Sequence, residues 1–283
     1  MGILQMSLMT LYSELENICR QQILDSYPSD WSEDYINRKI LFEYRKLFRD
    51  IQINGISSLP IKINSAAYKF TGKAETKFGD IGLIVRITHP GSRSFEGVTS
   101  LEAKIIHKNK RKFQEIKGNQ LNIISSNVQY PMLLLYDNQS IEKFHDYSFF
   151  PSTAKQNHAV VVPIHIVESI IRDKVPDYLT QDKARKKLPI EANSSIYKFS
   201  VPLAYQILFR YFRGLDLDFN QDLIQRIKGY EFEDILDMQN RTLPQYLLLV
   251  SVSYGDSDSN IEFDINREIF RDITSSEPEE FQF

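Results

Sequence analysis

The chain has 283 residues, of which 42% are apolar, 12% aromatic and 25% charged. This balance excludes a wholly disordered chain and a collagen-like repeat; the single cysteine, Cys19, excludes an intrachain disulfide and favours a reducing compartment. The net charge of −3 is uneven, because residues 255–283 carry nine acidic and two basic side chains (−7) and the rest carry 32 basic and 28 acidic ones (+4). The total charge therefore does not exclude a nucleic-acid partner.

Membrane-spanning helices need about 18–20 consecutive apolar residues. The longest apolar stretch, residues 159–171, is interrupted by Pro163, His165, Glu168 and Ser169. The N-terminus also lacks the basic region that begins a signal peptide. The sequence therefore predicts a soluble, cytoplasmic protein with no membrane partner.

The first fifty residues carry the apolar spacing of helices. Apolar residues recur at this spacing from Leu8 to Cys19, and again from Ile36 to Ile51 after a break and a capping residue, Ser32. We therefore predict an N-terminal helical segment over residues 1–55.

From about residue 60 the pattern favours strands. Residues 60–63 are short and extended, and two β-rich runs, Ile81–Thr88 and Val98–His107, flank a stretch of turn residues. These two runs predict a β-hairpin.

The rest of the chain mixes helices and strands. In chain order we predict a helix over residues 119–128, a buried strand over 132–136, an apolar run over 159–166, an exposed charged segment over 182–187, a helix over 203–212, a short helix between Asn220 and Gly229, and a buried strand over 246–252. The mixture predicts one α/β domain over residues 56–254 with an N-terminal helical layer.

Residues 255–283 are predicted to be an acidic tail, and we expect disorder there. The alternative is that the tail mimics phosphate and covers a basic groove, which deletion of the tail and a DNA-affinity measurement would test.

Acidic and basic side chains meet in the predicted hairpin. Gly79-Asp80 opens the first strand, and Glu102-Ala103-Lys104 lies in the second. Alternate side chains of a strand share a face, so Glu102 and Lys104 point the same way, and a twisted hairpin can bring Asp80 beside them. Two carboxylates can hold a divalent metal, and Lys104 can orient or help deprotonate a water that attacks a phosphate.

This arrangement resembles the PD-(D/E)xK nuclease superfamily, with Asp80 and Glu102-x-Lys104 as the matching residues and Gly79 in place of the family's proline. The resemblance covers roughly residues 30–140, and its flanking features also look like those of uncharacterised prokaryotic restriction-like members. It implies a restriction-endonuclease-like core, in which a mixed central sheet is flanked by helices. It also implies that Asp80 and Glu102 bind Mg²⁺ (or Mn²⁺) and that Lys104 is the catalytic lysine.

Flanking residues extend the resemblance. Glu75 is interpreted as a third metal ligand or as a surface residue, and Gln120 as a partner of the lysine or a phosphate or as an exposed glutamine. The helix that contains Glu33, Asp34 and Glu43 occupies the place of the family's N-terminal helix. From this helix Glu43 could reach the site, but its polar neighbours favour its interpretation as part of a solvated face.

Two basic runs fit a DNA partner, because phosphate binding needs positive charge. The first run follows the catalytic strand and supplies the predicted nucleic-acid-binding residues Lys108, Lys110, Arg111, Lys112 and Lys117. The second run comprises Lys183, Arg185, Lys186 and Lys187, for which a solvated connection is the alternative.

The sequence thus predicts a Mg²⁺-dependent DNA endonuclease of prokaryotic restriction or antiphage defence. Duplex cutting usually needs two sites, so we expect a homodimer or a partner subunit such as an ATPase or helicase. One alternative is a non-catalytic nucleic-acid-binding or scaffold subunit of a defence complex that retains the fold. Another is a nuclease directed at RNA or at single strands.

Overall fold

The structure is a computed structural model that describes residues 4–54, 59–72, 78–91, 94–141, 157–174, 187–192, 194–230, 243–255 and 263–273. Its helices are α1 (Leu8–Ser26), α2 (Glu33–Leu47), α3 (Gly118–Asn127), α4 (Ile164–Lys174), α5 (Ser194–Lys198), α6 (Leu203–Tyr205) and α7 (Gln221–Ile227). Its strands are β1 (Leu4–Met6), β2 (Ile51–Ile53), β3 (Ile61–Phe70), β4 (Ile81–Thr88), β5 (Phe95–Ile105), β6 (Lys112–Lys117), β7 (Met132–Tyr136), β8 (Ala159–Pro163), β9 (Lys187–Glu191), β10 (Val201–Pro202), β11 (Tyr246–Tyr254) and β12 (Phe270–Asp272).

A large mixed sheet organises the molecule. Its strand order is β1-β2-β3-β11-β4-β5-β7-β8-β10, with β12 pairing to β3, while β6 and β9 form a separate antiparallel pair. One core cluster joins α1 and α2 to one face of the sheet, and a second cluster packs α7 and the C-terminal residues on the other face. The predicted α/β class, with a mixed sheet flanked by helices, is confirmed.

The predicted N-terminal helices are present, and each begins at a serine cap. The hydroxyl of Ser7 accepts a hydrogen bond from the Thr10 amide, and that of Ser32 accepts one from the Tyr35 amide. The second helix is shorter than predicted, because it ends at Leu47 and Ile51 begins strand β2 instead. Between them Asp50 has a φ of 54°, a left-handed conformation that a helix cannot continue through.

The predicted hairpin is confirmed. Strands β4 and β5 are antiparallel, with Ile81 opposite Leu101 and Ile87 opposite Phe95. Helix α3 and strand β7 also lie where the pattern predicts them.

Two further predicted extents are wrong. The extended segment at 60–63 is the start of a strand that continues to Phe70. The segment after Pro202 is α-helical only over Leu203–Tyr205, and π-helical and 3₁₀ turns follow over Gln206–Arg210 and Tyr211–Arg213. Gln206 and Arg210 both donate to the carboxylate of Asp216, which folds the end of this segment back on itself.

The expectation of a disordered tail is wrong for residues 263–273. Strand β12 pairs antiparallel with β3, and five apolar side chains of this segment are buried: Phe263, Ile265, Ile269, Phe270 and Ile273. The acidic charge of the region favours disorder, but the burial of these apolar side chains fixes the segment on the sheet. Residues 256–262 and 274–283 lie outside the described residues.

A buried carboxyl group lies between the N-terminal helices and the sheet. Glu16 on α1 is 3% exposed, and its Oε2 accepts a hydrogen bond of 2.7 Å from Asn157 Nδ2. Burial raises the pKa of Glu16 from 4.5 to about 8, although the bond from Asn157 opposes this shift. Glu16 is therefore protonated in the folded protein at neutral pH.

This proton makes the stability of the fold depend on pH. The contribution of Glu16 to the free energy of unfolding is largest below about pH 4.5 and falls as the pH rises from there through about 8, by up to about 1.4 kcal/mol per pH unit, because the unfolded chain releases the proton first. We expect Glu16→Gln to flatten this decline, as measured by urea denaturation between pH 5 and pH 8. The matched control is Glu14→Gln at an exposed position of the same helix. A Glu16→Gln profile with the wild-type slope would contradict the expectation.

Among the described residues, no helix is both long enough and apolar enough to cross a membrane.

Candidate functional site

The site lies where β5 extends beyond the start of its neighbour β4. The pairing of these strands begins at Ile81 and Leu101, and β5 continues beyond Leu101. The backbone amides of β5 after Leu101 therefore have no partner strand among the described residues on the side of β4. The Ala103 amide donates to Asp80 Oδ2 at 2.7 Å, and the Ile105 amide donates to Glu33 Oε1 at 3.4 Å. The two carboxylates thus occupy the place of a missing strand. We call this region, bounded by Asp80, Glu33 and residues 102–105, the edge notch.

Gly79 is the residue that lets Asp80 enter the edge notch. Its φ is +71°, and a Cβ atom at this position would lie 2.8 Å from the carbonyl oxygen of Leu101. Proline cannot adopt a positive φ, and any larger residue would displace the chain. Glycine at this position, where the motif that the sequence resembles has proline, therefore has a local structural cause.

Substitution of Gly79 is expected to destabilise the fold. We expect Gly79→Ala to lower the free energy of unfolding by about 2–5 kcal/mol, because strain at positive φ adds to the contact with Leu101. Gly91→Ala is the matched control, because Gly91 has a φ of +68° but no atom within 4 Å of its added Cβ. The control should lose only about 1–2 kcal/mol in the same denaturant titration. Equal losses would contradict this account of Gly79.

Glu102 and Lys104 meet at the centre of the edge notch. Lys104 Nζ donates to Glu102 Oε1 at 2.7 Å, to Glu33 Oε2 at 3.2 Å and to the Ala103 carbonyl at 2.6 Å. The side chains of Glu102 and Lys104 are 1% and 8% exposed. All three donors of the ammonium group are therefore engaged inside the protein.

The electrostatics of this cluster follow from its burial. Burial and the charges of Asp80 and Glu33 raise the pKa of Glu102 to about 8, while the Lys104 ammonium opposes the shift. Burial likewise raises the pKa of Glu33, to about 7, and that of Asp80. Burial alone would lower the pKa of Lys104, but the surrounding carboxylates raise it above its ordinary value. Lys104 is therefore a firmly protonated hydrogen-bond donor.

Gln120 joins the cluster from α3. Its Nε2 donates to Glu102 Oε1 at 2.6 Å, so this oxygen receives bonds from both Gln120 and Lys104. The other oxygen, Glu102 Oε2, is buried and has no hydrogen-bond partner among the described residues. A buried carboxylate oxygen without a partner is unfavourable unless something occupies the space beside it.

Asp34 borders the edge notch on the side of β11. Its Oδ1 accepts a hydrogen bond of 2.6 Å from the hydroxyl of Tyr246 and another from the Gln245 side chain. The Tyr246 amide in turn donates to the Asp80 carbonyl at 2.9 Å. These bonds fix the first turn of α2 against the start of β11, which in turn is bonded to the backbone of Asp80.

The predicted site residues thus have different outcomes. The structure brings four of them together at the edge notch: Asp80, Glu102, Lys104 and Gln120. Glu75 lies outside the described residues. Glu43 forms a 2.9 Å ion pair with Lys46 on the surface, as its interpretation as part of a solvated face predicts.

Sequence reasoning missed the contribution of Glu33. It placed α2 in the family's pattern but assigned this residue no role. The available signal was the position of Glu33 directly after the capping residue Ser32, where an acidic side chain is favoured and lies at the helix end.

The residues of the predicted nucleic-acid-binding run have different surroundings in the structure. Lys108 and Lys110 are exposed in the turn after β5. Arg111 forms 3.0 Å contacts with the buried carboxylate of Asp137, and Lys112 lies 3.9 Å from Glu191. The side chains of Lys117 and Lys187 lie outside the described part, as do residues Lys183, Arg185 and Lys186.

The arrangement offers hard oxygen donors to a cation. Among the described residues, no group of three or more His, Cys, Asp or Glu residues is placed to hold a metal ion. Mg²⁺, however, is usually bound through one or two carboxylates and completes its shell with water. Asp80 and the unpartnered Glu102 Oε2 fit that donor set.

No protein-family model, curated protein or solved structure matches this chain.

Proposed function

We propose that the protein is a Mg²⁺-dependent endonuclease that hydrolyses DNA phosphodiester bonds, built on a restriction-endonuclease-like core of the PD-(D/E)xK type. One observation carries the proposal: Asp80, Glu102 and Lys104 converge on the edge notch, where a buried oxygen of Glu102 has no partner among the described residues. Two carboxylates that can bind a metal ion, with an ammonium group beside them, are groups that can catalyse phosphodiester hydrolysis.

Asp80 and Glu102 would hold the metal ion, and Lys104 would act on the reacting groups. Bound Mg²⁺ supplies positive charge that lowers the pKa of water and offsets charge on the phosphate. Because Lys104 is protonated, it would act as a hydrogen-bond donor. When Glu102 turns to the metal ion, the donor now bonded to Glu102 Oε1 would instead orient the attacking water or stabilise a phosphate oxygen. The water oxygen bonds to phosphorus and gives up a proton to the solvent as the phosphorus–oxygen ester bond breaks, and the leaving oxygen takes up a proton from the solvent.

Gln120 and Glu33 would be positioning residues. Gln120 fixes the orientation of Glu102 through Oε1, which directs Oε2 into the notch. Glu33 holds the ammonium of Lys104 from the opposite side. Neither needs to contact the substrate for this role.

We further propose a role in prokaryotic restriction or antiphage defence, in the cytoplasm. Cleavage of both strands of a duplex needs two such sites. A homodimer, or a partner subunit such as an ATPase or helicase, would supply the second site or deliver the DNA.

The test is incubation of the purified chain with supercoiled plasmid and with linear DNA, in Mg²⁺, Mn²⁺ or EDTA. The proposal predicts cleavage with either metal and none with EDTA. Cleavage that persists in EDTA, or no cleavage of either DNA with either metal, would overturn it. A matched RNA substrate separates a DNA-directed nuclease from an RNA-directed one.

A second candidate function is that of a non-catalytic nucleic-acid-binding or scaffold subunit of a defence complex. The observation that favours it is that Lys104 already contacts both Glu102 and Glu33, so the protein itself compensates the buried charges. In that case Mg²⁺ would not bind, and calorimetric titration with Mg²⁺ would give no heat above dilution.

A further inference from the structure

A row of side chains crosses the sheet next to the edge notch. Four neighbouring strands align Arg271 of β12 with Lys69 of β3, Lys69 with Tyr246 of β11, and Tyr246 with Ile81 of β4. Residues directly opposite each other in neighbouring strands point to the same face of the sheet. Arg271 and Lys69 therefore lie on the face of Tyr246, whose hydroxyl holds Asp34 beside the notch.

The two positive charges in this row have no carboxylate partner among the described residues. Lys69 Nζ lies 5.8 Å from the centre of the Tyr246 ring, and the side chain of Arg271 is exposed. The acidic neighbour of Arg271, Asp272, is paired with Arg267 at 3.4 Å. The charges of Lys69 and Arg271 are thus available to an anion in solution.

The spacing of the row suits a chain of phosphates. Neighbouring strands lie about 4.8 Å apart, which puts Lys69 roughly 10 Å and Arg271 roughly 14 Å from β4, the strand that Asp80 directly precedes. A nucleic-acid backbone that places one phosphate in the edge notch would bring its next phosphates along this row. In this row Tyr246 lies between Lys69 and β4, so the two positive charges are at least one strand further from the notch than Tyr246 is.

We propose that Lys69 and Arg271 form a phosphate-binding row that guides the DNA backbone to the edge notch. The proposal rests on the proposed nuclease function and names the path of its substrate. It also assigns a role to the C-terminal segment, because β12 delivers Arg271 to the surface.

The test measures DNA binding apart from cleavage. In a Glu102→Gln background without metal, fluorescence anisotropy gives the affinity for a labelled duplex at several salt concentrations. We expect Lys69→Gln with Arg271→Gln to weaken binding by about tenfold or more at ~0.1 M salt. The slope of log affinity against log salt should fall by about 1.8, which corresponds to two lost phosphate contacts.

The matched control is Lys62→Gln, which removes a charge from the other end of the same strand, together with a melting curve that shows each variant is folded. The control should keep the parent affinity to within about twofold. Unchanged DNA affinity of the double variant, or an equal loss of affinity in the control, would contradict the proposed phosphate-binding row. If the wild-type protein cleaves DNA and the double variant binds it normally, only the phosphate-binding role of Lys69 and Arg271 is refuted. If the wild-type protein neither binds nor cleaves DNA, the proposed function is refuted.

Discussion

Replacing Glu102 with glutamine is expected to weaken Mg²⁺ binding by at least about tenfold and to abolish cleavage. The amide keeps the shape of the side chain and an oxygen that can accept bonds from Lys104 and Gln120. It cannot offer a second anionic oxygen, so the position of Oε2 no longer attracts a cation. Isothermal titration calorimetry with Mg²⁺ and Mn²⁺ measures the affinity directly.

Folding should survive this substitution. Burial already raises the pKa of Glu102 to about 8, so the fold tolerates an uncharged group at this position. The matched control is Glu43→Gln, which makes the same change in an exposed ion pair and should leave Mg²⁺ binding unchanged. If Glu102→Gln binds Mg²⁺ as tightly as the wild type does, Glu102 is not a metal ligand.

Replacing Lys104 with methionine is expected to separate catalysis from metal binding. We expect cleavage to slow by roughly 100- to 1000-fold, because a preorganised charged donor is lost from the notch. Mg²⁺ affinity should stay the same or increase, because the ammonium group that lies 2.7 Å from Glu102 no longer repels the incoming cation. Cleavage rates under single-turnover conditions and calorimetric titration provide the two readouts.

Lys46→Met is the control for this change, since Lys46 is an exposed lysine that pairs with Glu43. It should cleave at the wild-type rate. A Lys104→Met protein that loses Mg²⁺ binding and cleavage together, with a lowered melting temperature, would indicate that Lys104 only stabilises the fold.

The central hairpin could be predicted because its signals are local. Two β-rich runs flank a turn, and the residues that meet there, Asp80 and Glu102, are opposite each other in the simplest antiparallel register. Gln120 follows in the next helix along the chain, so its contact with Glu102 also spans a short sequence distance. Short-range pairing of this kind follows from periodicity and turn residues alone.

The contact between Glu33 and Lys104 joins residues that are 71 positions apart. It depends on how α2 packs across the sheet, and no local pattern encodes that packing. The insertion of β11 between β3 and β4 is non-local in the same way, although the strand itself was predicted from its apolar run. Sequence patterns thus indicate where helices and strands form. Which helices and strands lie next to each other depends on how their surfaces pack in the whole fold.

The ordered part of the acidic tail illustrates a different reason for a wrong prediction. The charge of residues 255–283 suggested disorder, but Phe270 and Ile273 are buried against the sheet and β12 hydrogen-bonds to β3. Net charge averages over a segment, while burial depends on which individual side chains are apolar.

The most direct test of the account is the metal-dependent cleavage of supercoiled plasmid by wild-type protein and by Lys104→Met from matched preparations. The account predicts nicked or linear product with Mg²⁺ for the wild type, none with EDTA, and at least about 100-fold slower cleavage by Lys104→Met. Equal cleavage rates for the two proteins in Mg²⁺ would contradict the assignment of the edge notch as a phosphodiester-hydrolysing site.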